Sequence, residues 1–207
     1  MASMNKRQMV IFDFDGVIAD SWWLTHKTAR KIYPGLTETM HRRGFEGNIL
    51  KVEKDWAHLE RKDVDFYDEY EKETHLVKFF EIAETISHLA EKYMLSIVSS
   101  TPNKLIKYFL LREGLAQCFS DLLGADIHES KHEKIKMLFE KYILLSAECV
   151  MITDTSGDVR EAHMAGVDSI GVSWGFHEIE RLQKVDTFRI VHTPRELVGA
   201  VNDYFSK

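Results

Sequence analysis

Two carboxylates one residue apart, Asp13 and Asp15 in Phe12-Asp13-Phe14-Asp15-Gly16, close an apolar run that begins at Met9. Side chains alternate along a strand, so Phe12 and Phe14 point one way and both carboxylates the other. Adjacent carboxylates at the end of a hydrophobic strand repel, and that arrangement calls for a cation or a shared proton. A simple turn is the plain alternative, because Asp-Gly is a common turn pair. Two further apolar runs end in residues suited to the same chemistry. Leu95 to Ser99 delivers Ser99-Ser100-Thr101 ahead of Pro102, where hydroxyls and free N–H groups at a helix start can receive a phosphate. Thr101 before Pro102 reads as the N-cap, which leaves Ser99 as the candidate phosphate ligand and Ser100 as its substitute.

The third run, Cys149 to Thr153, releases Asp154-Thr155-Ser156-Gly157-Asp158. Asp154 at the strand end reads as a metal ligand, and Asp158, in a first helical turn where acids are favoured, as its support. Lys131 occupies the first turn of another helix, where a positive charge opposes the helix dipole, so helix stability does not explain it. A surface lysine is the commonplace alternative, but here Lys131 could anchor an anion, with Lys134 one turn later as the alternative.

These residues need a frame to hold them. Met9 to Phe14, Leu95 to Ser99 and Cys149 to Thr153 read as buried strands, followed by Ser169 to Trp174 and Phe188 to His192, with Leu122 to Ala125 as another short one. Helical patterns separate most of them, which predicts βαβ units and a parallel sheet that binds ligands at its carboxyl edge. Ser130-Lys131-His132-Glu133 has the form of a capping box before a helix running to Tyr142. Gly114 and Gly166 mark helix stops. From Gly16 to about Ile82 the sequence is charged, aromatic and helix-like without a convincing strand, and is expected to be a helical insertion.

Hydrophobic residues make up 44% of the 207 residues and charged residues 29%, as in ordinary folded chains. No apolar run approaches the roughly 20 residues of a membrane-spanning helix. The N-terminal segment has no room for a signal peptide before Met9, so a cytoplasmic location is expected. Cys118 and Cys149 read as reduced core residues. A formal charge of −6 argues against a broad grip on nucleic acid or anionic lipid. A monomer is the default expectation.

Asp13-Phe14-Asp15-Gly16, Ser99 after an apolar strand, Lys131 at a helix start and Asp154 with Asp158 together resemble, in order and spacing, the four motifs of the haloacid dehalogenase (HAD) superfamily. Ala162 to Gly166 and the Trp174-Gly175 to Pro194 tail resemble its phosphoglycolate-phosphatase-like members. The resemblance implies an α/β fold: a Rossmann-like parallel sheet flanked by helices (residues 1–16 and 83–207) with an inserted α-helical cap (17–82). It implies that Asp13 attacks phosphorus, that Asp15 protonates the leaving oxygen and then activates water, and that Ser99 and Lys131 hold the phosphoryl oxygens. Mg²⁺ would bind Asp13, Asp154 and the backbone carbonyl of Asp15. The second Asp, Asp15, favours phosphate esters over carbon–halogen or phosphonate bonds. Thr153 departs from the Gly that often precedes the motif-four Asp, and is expected to crowd the metal loop.

The expected activity is therefore hydrolysis of a small phosphorylated metabolite, with a phosphomutase of the same superfamily as the alternative. His128-Glu129-Ser130-Lys131-His132 also matches the His-Glu-x-x-His pattern of zinc metalloproteases. The capping box starts the helix near Lys131, which leaves His128 and Glu129 in the preceding loop. A signalling receiver domain fits the length and layout poorly. A non-catalytic binding protein would have lost a motif position, and none is lost.

Overall fold

The computed structural model describes residues 7–51, 56 and 58–207; Met1 to Lys6, which bear on the signal peptide, and residues 52–55 and 57 of the expected insertion lie outside the described residues. In chain order the strands are β1 (Met9–Phe12), β2 (Ala19–Asp20), β3 (Lys78–Phe79), β4 (Met94–Val98), β5 (Asp121–Leu123), β6 (Cys149–Thr153), β7 (Asp168–Val172) and β8 (Arg189–Val191). The helices are α1 (Trp22–Ile32), α2 (Glu38–Gly44), α3 (Phe66–Glu71), α4 (Ala83–Lys92), α5 (Asn103–Arg112), α6 (Lys131–Tyr142), α7 (Ser156–Met164), α8 (Ile179–Leu182) and α9 (Glu196–Phe205).

Six strands form a parallel sheet in the order β5-β4-β1-β6-β7-β8. Period-two alternation feeds both faces. Val10, Phe12, Leu95, Ile97, Val150 and Ile152 pack with side chains of α4, α5 and α9, while Met9, Ile11, Val98, Cys149 and Met151 pack with α6 and α7. Burial on both sides explains why these strands read as continuous apolar runs. From β1 the chain steps outward through β4 to β5, then crosses back to β6 and steps the other way. The β1–β6 seam is thus the point where winding reverses, and an open parallel sheet leaves its crevice there, beyond the carboxyl ends of the strands. Asp13 follows β1 at that seam and Asp154 follows β6.

Several local expectations need correction. The stretch expected to lack strands contains β2 and β3, an antiparallel pair joining Ala19 to Phe79 and Asp20 to Lys78 where the chain leaves and rejoins the sheet domain. Two-residue strands are too short to carry a periodic signal. β1 ends at Phe12 rather than Phe14, because the Asp13 carboxylate accepts the Phe14 N–H at 2.7 Å and the chain turns through Gly16 at φ +76°. Thr101 does not cap α5; Pro102 takes the cap position and the Asp126 carboxylate accepts the Asn103 N–H at 2.7 Å. The Ser130–Glu133 capping box is also absent: Ser130 is the N-cap residue of α6 but makes no side-chain cap bond, and Glu133 turns to Lys136 and His132. α4 and α9, which carry no such punctuation, are not marked out by the sequence.

Cys149 is buried in the sheet, Cys118 is half-buried, and both are free thiols. Among the described residues, no helix is long and apolar enough to cross a membrane.

Candidate active site

Asp13 continues the backbone ladder beyond β1, its N–H donating to the Ile152 carbonyl at 2.9 Å. That bond fixes the side chain at the seam. Lys131, delivered by the first turn of α6, lies between two carboxylates, with Nζ 2.8 Å from Asp13 Oδ1 and 2.8 Å from Asp158 Oδ2. All three groups are buried. Thr153 donates its hydroxyl to the same Asp158 oxygen at 2.9 Å and accepts the Thr155 N–H at 3.2 Å. The threonine expected to crowd the loop therefore holds Asp158 in place. Lys134 plays a different part. Its ammonium, fully buried, donates to the Ser99 carbonyl at 2.6 Å and the Gly124 carbonyl at 3.3 Å, tying α6 to the ends of β4 and β5. Burial pulls its pKa down to about 8.

Asp15 sits in a ring of hydroxyls. Ser21 and Tyr70 donate to Oδ1 at 2.7 and 3.0 Å, and Thr101 donates to Oδ2 at 2.5 Å. Burial, and then the Asp15 charge, push the Tyr70 phenol well above its usual pKa, so it stays a proton donor. None of these three is assigned this role by the sequence. Thr101 is legible there only as a cap, and Tyr70, on α3, carries no local signal at all. Ser99 and Ser100 line the same cavity as Asp13, Asp15, Lys131 and Asp158. The Ser99 hydroxyl accepts the Thr101 N–H at 3.0 Å, and the Ser100 carbonyl accepts the Tyr67 hydroxyl at 2.6 Å.

A second network closes the site from the side. Glu161 of α7 accepts the Ser130 hydroxyl at 2.9 Å, the Lys131 N–H at 3.2 Å and the Asn48 amide at 3.1 Å. Asn48 also reaches the Glu129 carbonyl at 3.1 Å, so the segment after α2 is fastened to the start of α6. The cavity behind it measures about 360 Å³ and is lined both by Asp13, Asp15 and Lys131 and by apolar side chains such as Ile32, Leu50, Val64 and Phe66.

His41 also lines this cavity, packed among Trp22, Phe45 and Trp56 with ring centroids 5.2 to 5.5 Å away. Its Nδ1 lies 3.1 Å from Nδ1 of His26. Burial, with the neighbouring His26 and Arg42, lowers its pKa to about 3. A histidine whose folded pKa is depressed stabilises least in acid: between about pH 6.5 and 3 the unfolded chain binds a proton that folded His41 refuses. Unfolding free energy should then fall by up to about 1.4 kcal/mol per pH unit from this group. In His41→Phe, urea melts between pH 6 and 4.5 are expected to show that slope reduced; an unchanged slope would mean that His41 titrates normally in the fold.

Oxygens of Asp13, Asp154 and Asp158 lie within 4.8 Å of one another. Three buried carboxylates face one buried ammonium, so positive charge is short. Asp154 Oδ2 accepts the Phe176 N–H at 2.6 Å, whereas Oδ1 is buried with no partner. Burial pushes Asp13 well above the usual carboxylate range, despite Lys131, and lifts Asp154 to about 7. Asp158 is held below the range: Lys131 and hydrogen bonds outweigh its burial. Gly16 and Gly175 wrap Asp154 so closely that a Cβ on them would stand 2.0 and 2.3 Å from Oδ2. An orphaned carboxylate oxygen amid hard oxygen donors and excess negative charge fits a hard divalent cation. The His-Glu-x-x-His segment forms no comparable cluster among the described residues. His128 and Glu129 precede α6, and the His128 ring accepts the Ser130 N–H at 2.9 Å. They share no helical face with His132.

Comparison with known proteins agrees with this geometry. The profile of the family described as haloacid dehalogenase-like hydrolase matches residues 10–172. A protein named phosphoglycolate phosphatase, from Vibrio vulnificus, is 25% identical over 94% of this chain and 96% of its own length. Among solved structures, a haloacid dehalogenase-like family hydrolase from Streptococcus pneumoniae superposes with a TM-score of 0.74 at 18% identity, covering 96% of this chain and 100% of that one. A Thermotoga maritima protein described as a candidate β-phosphoglucomutase gives 0.68 at 22% identity over 95% and 99%. The chain belongs to the haloacid dehalogenase-like hydrolase family, as a hydrolase of the phosphatase type.

Proposed function

We propose that this hydrolase is a Mg²⁺-dependent phosphatase of small phosphomonoesters that works through an aspartyl phosphate on Asp13. Residues 17–82 form a cap over a core of residues 1–16 and 83–207. The observation that carries this is one cavity lined by Asp13, paired with buried Lys131, and by Asp15, whose carboxylate is held by three hydroxyls.

An Asp13 oxygen attacks phosphorus, forming the acyl phosphate as the bond to the ester oxygen breaks; protonated Asp15 gives that oxygen its proton. A water molecule then attacks phosphorus while Asp15 takes the proton back, and the Asp13–phosphorus bond breaks to release phosphate and restore the carboxylate. Lys131, Ser99 and Ser100 hold the phosphoryl oxygens. Asp13, Asp154 and the Asp15 carbonyl would hold Mg²⁺, which supplies charge neutralisation on the transferring group. Asp158 positions Lys131.

Release of inorganic phosphate from a phosphoester panel, with MgCl₂ and with EDTA, tests the proposal. Phosphate shifting between positions of a sugar with little release would identify a phosphomutase instead. Asp15→Asn separates the two half-reactions. With 4-nitrophenyl phosphate, whose leaving group needs little protonation, it should give a nitrophenol burst near one equivalent and then turnover lower by about 10² to 10⁴-fold. Unimpaired steady turnover would remove Asp15 from the acid/base role.

A further inference from the structure

The apolar lining of the cavity that also holds Asp13 faces the leaving group if that cavity transfers phosphate, so an inference from this lining rests on the phosphatase reading. We infer that this enzyme prefers phosphomonoesters whose leaving group is uncharged and predominantly apolar, and disfavours leaving groups that bear a carboxylate.

Three features converge on this. The cavity lining includes Ala29, Ile32, Leu50, Val64, Phe66 and Trp56, of which Ala29, Phe66 and Trp56 belong to one apolar cluster. Asn48, Tyr67 and Tyr70 of the lining are already engaged within the protein. Asn48 gives its amide to Glu129 and Glu161 and accepts the Leu50 N–H at 3.0 Å; Tyr67 and Tyr70 give their hydroxyl protons to Ser100 and Asp15. His41 shares Nδ1 with His26 and is held neutral. A polar leaving group would therefore lose water and find these groups already paired.

The charges point the same way. Among the described residues, Lys131 is the buried cation that lines the cavity, and it is already set between Asp13 and Asp158. Arg61, the other fixed cation of the lining, is exposed to solvent, and the Asp65 carboxylate lies along the same lining. A carboxylate on the leaving group would enter a cavity lined by Asp13, Asp15, Asp158 and Glu161, in which, among the described residues, no further buried cation is present to receive it. An alkyl or aryl group would bury apolar surface against this lining, worth about fourfold in affinity per methylene. A cavity of about 360 Å³ suits a small ligand.

The test uses the full chain and non-hydrolysable phosphonates, so binding is read independently of turnover. In MgCl₂, calorimetric Kd values are measured for methyl-, propyl- and butylphosphonate and for the same-shaped pair 3-methylbutylphosphonate and 3-phosphonopropionate. We expect Kd to tighten about fourfold per methylene, and the neutral member of the pair to bind about 50-fold tighter or more than the carboxylate. The same order is expected in kcat/KM for the corresponding esters, 2-methylpropyl phosphate against 2-phosphoglycolate. Leu50→Asn should reduce the 3-methylbutyl to methyl affinity ratio by about tenfold. A flat alkyl series, or tighter binding of 3-phosphonopropionate, overturns the inference even if both esters are hydrolysed. A series that tightens while neither ester is hydrolysed supports the apolar leaving-group site and removes the phosphatase reading.

Discussion

Replacing Asp13 by Asn is expected to lower phosphomonoester turnover by about 10⁴-fold or more while leaving the metal-free protein at least as stable as the native chain. The first half follows from chemistry. An amide oxygen is a poor nucleophile, and no neighbouring carboxylate can take over: Asp158 is bound to Lys131 and Thr153, and Asp15 is held by its three hydroxyls. The second half follows from electrostatics. Burial makes the ionised form of Asp13 costly, and Asp158 and Asp154 add repulsion that Lys131 does not fully offset. A neutral amide of the same shape removes that cost and keeps Lys131 paired with Asp158. Phosphate release and urea midpoints in EDTA measure the two halves together. Retained turnover would remove the nucleophile assignment. Lost turnover with a collapsed fold would show that Asp13 serves as structural support for α6. A site that costs stability in order to hold its charge is the expected signature of function.

The fold is largely legible from the chain because its strands are short, buried on both faces and separated by helices. Val10, Phe12, Val150 and Ile152 carry that signal without help from distant residues. Asp13, Ser99 and Asp154 are legible for the same reason: each stands where a readable strand ends, and parallel strands place their ends together. Side-chain choice among competing partners is not legible in this way. Thr101 and Ser130 read as helix caps from their neighbours in sequence, yet each turns to a carboxylate far along the chain, Asp15 and Glu161. A hydroxyl can donate to a carboxylate and accept an N–H at once, as Thr153 does, but the rotamers that aim Thr101 and Ser130 at carboxylates make no cap bond, and hydrogen bonds to charged groups are the stronger ones. Tyr70 and Asn48 leave no trace at all. Their bonds to Asp15 and Glu161 span 55 and 113 residues and exist only once the segments carrying them pack against distant parts of the chain.

Lys131→Met gives the second large effect, and it separates charge from geometry. Methionine keeps the apolar stem but leaves Asp13 and Asp158 facing each other without the ammonium that lies 2.8 Å from both. Removing one partner of a buried ion pair destabilises by about 3–5 kcal/mol, so the variant should unfold at clearly lower urea in EDTA at pH 7. The pH dependence fixes the cause. Lys131 is buried, which alone would lower its pKa, but Asp13 and Asp158 outweigh burial and raise it above the usual lysine value. Its stabilisation is thus fully present below about pH 10.5 and is lost only as pH rises through the higher folded value. In the variant the carboxylates have lost their counter-ion, so their folded pKa values climb. The deficit relative to the native chain should then shrink as pH falls from 7 toward 4, when they can protonate. Turnover should drop by about 10² to 10⁴-fold, because phosphoryl oxygens lose their cation and Asp158 has nothing left to position. A deficit that stays constant from pH 7 to 4 would point to a cause other than the carboxylates' charge, such as altered packing around the methionine thioether. In that case the charge of Lys131 would matter to the phosphoryl group alone, and Asp13 and Asp158 would be kept apart by the Thr153 hydroxyl and the end of β6.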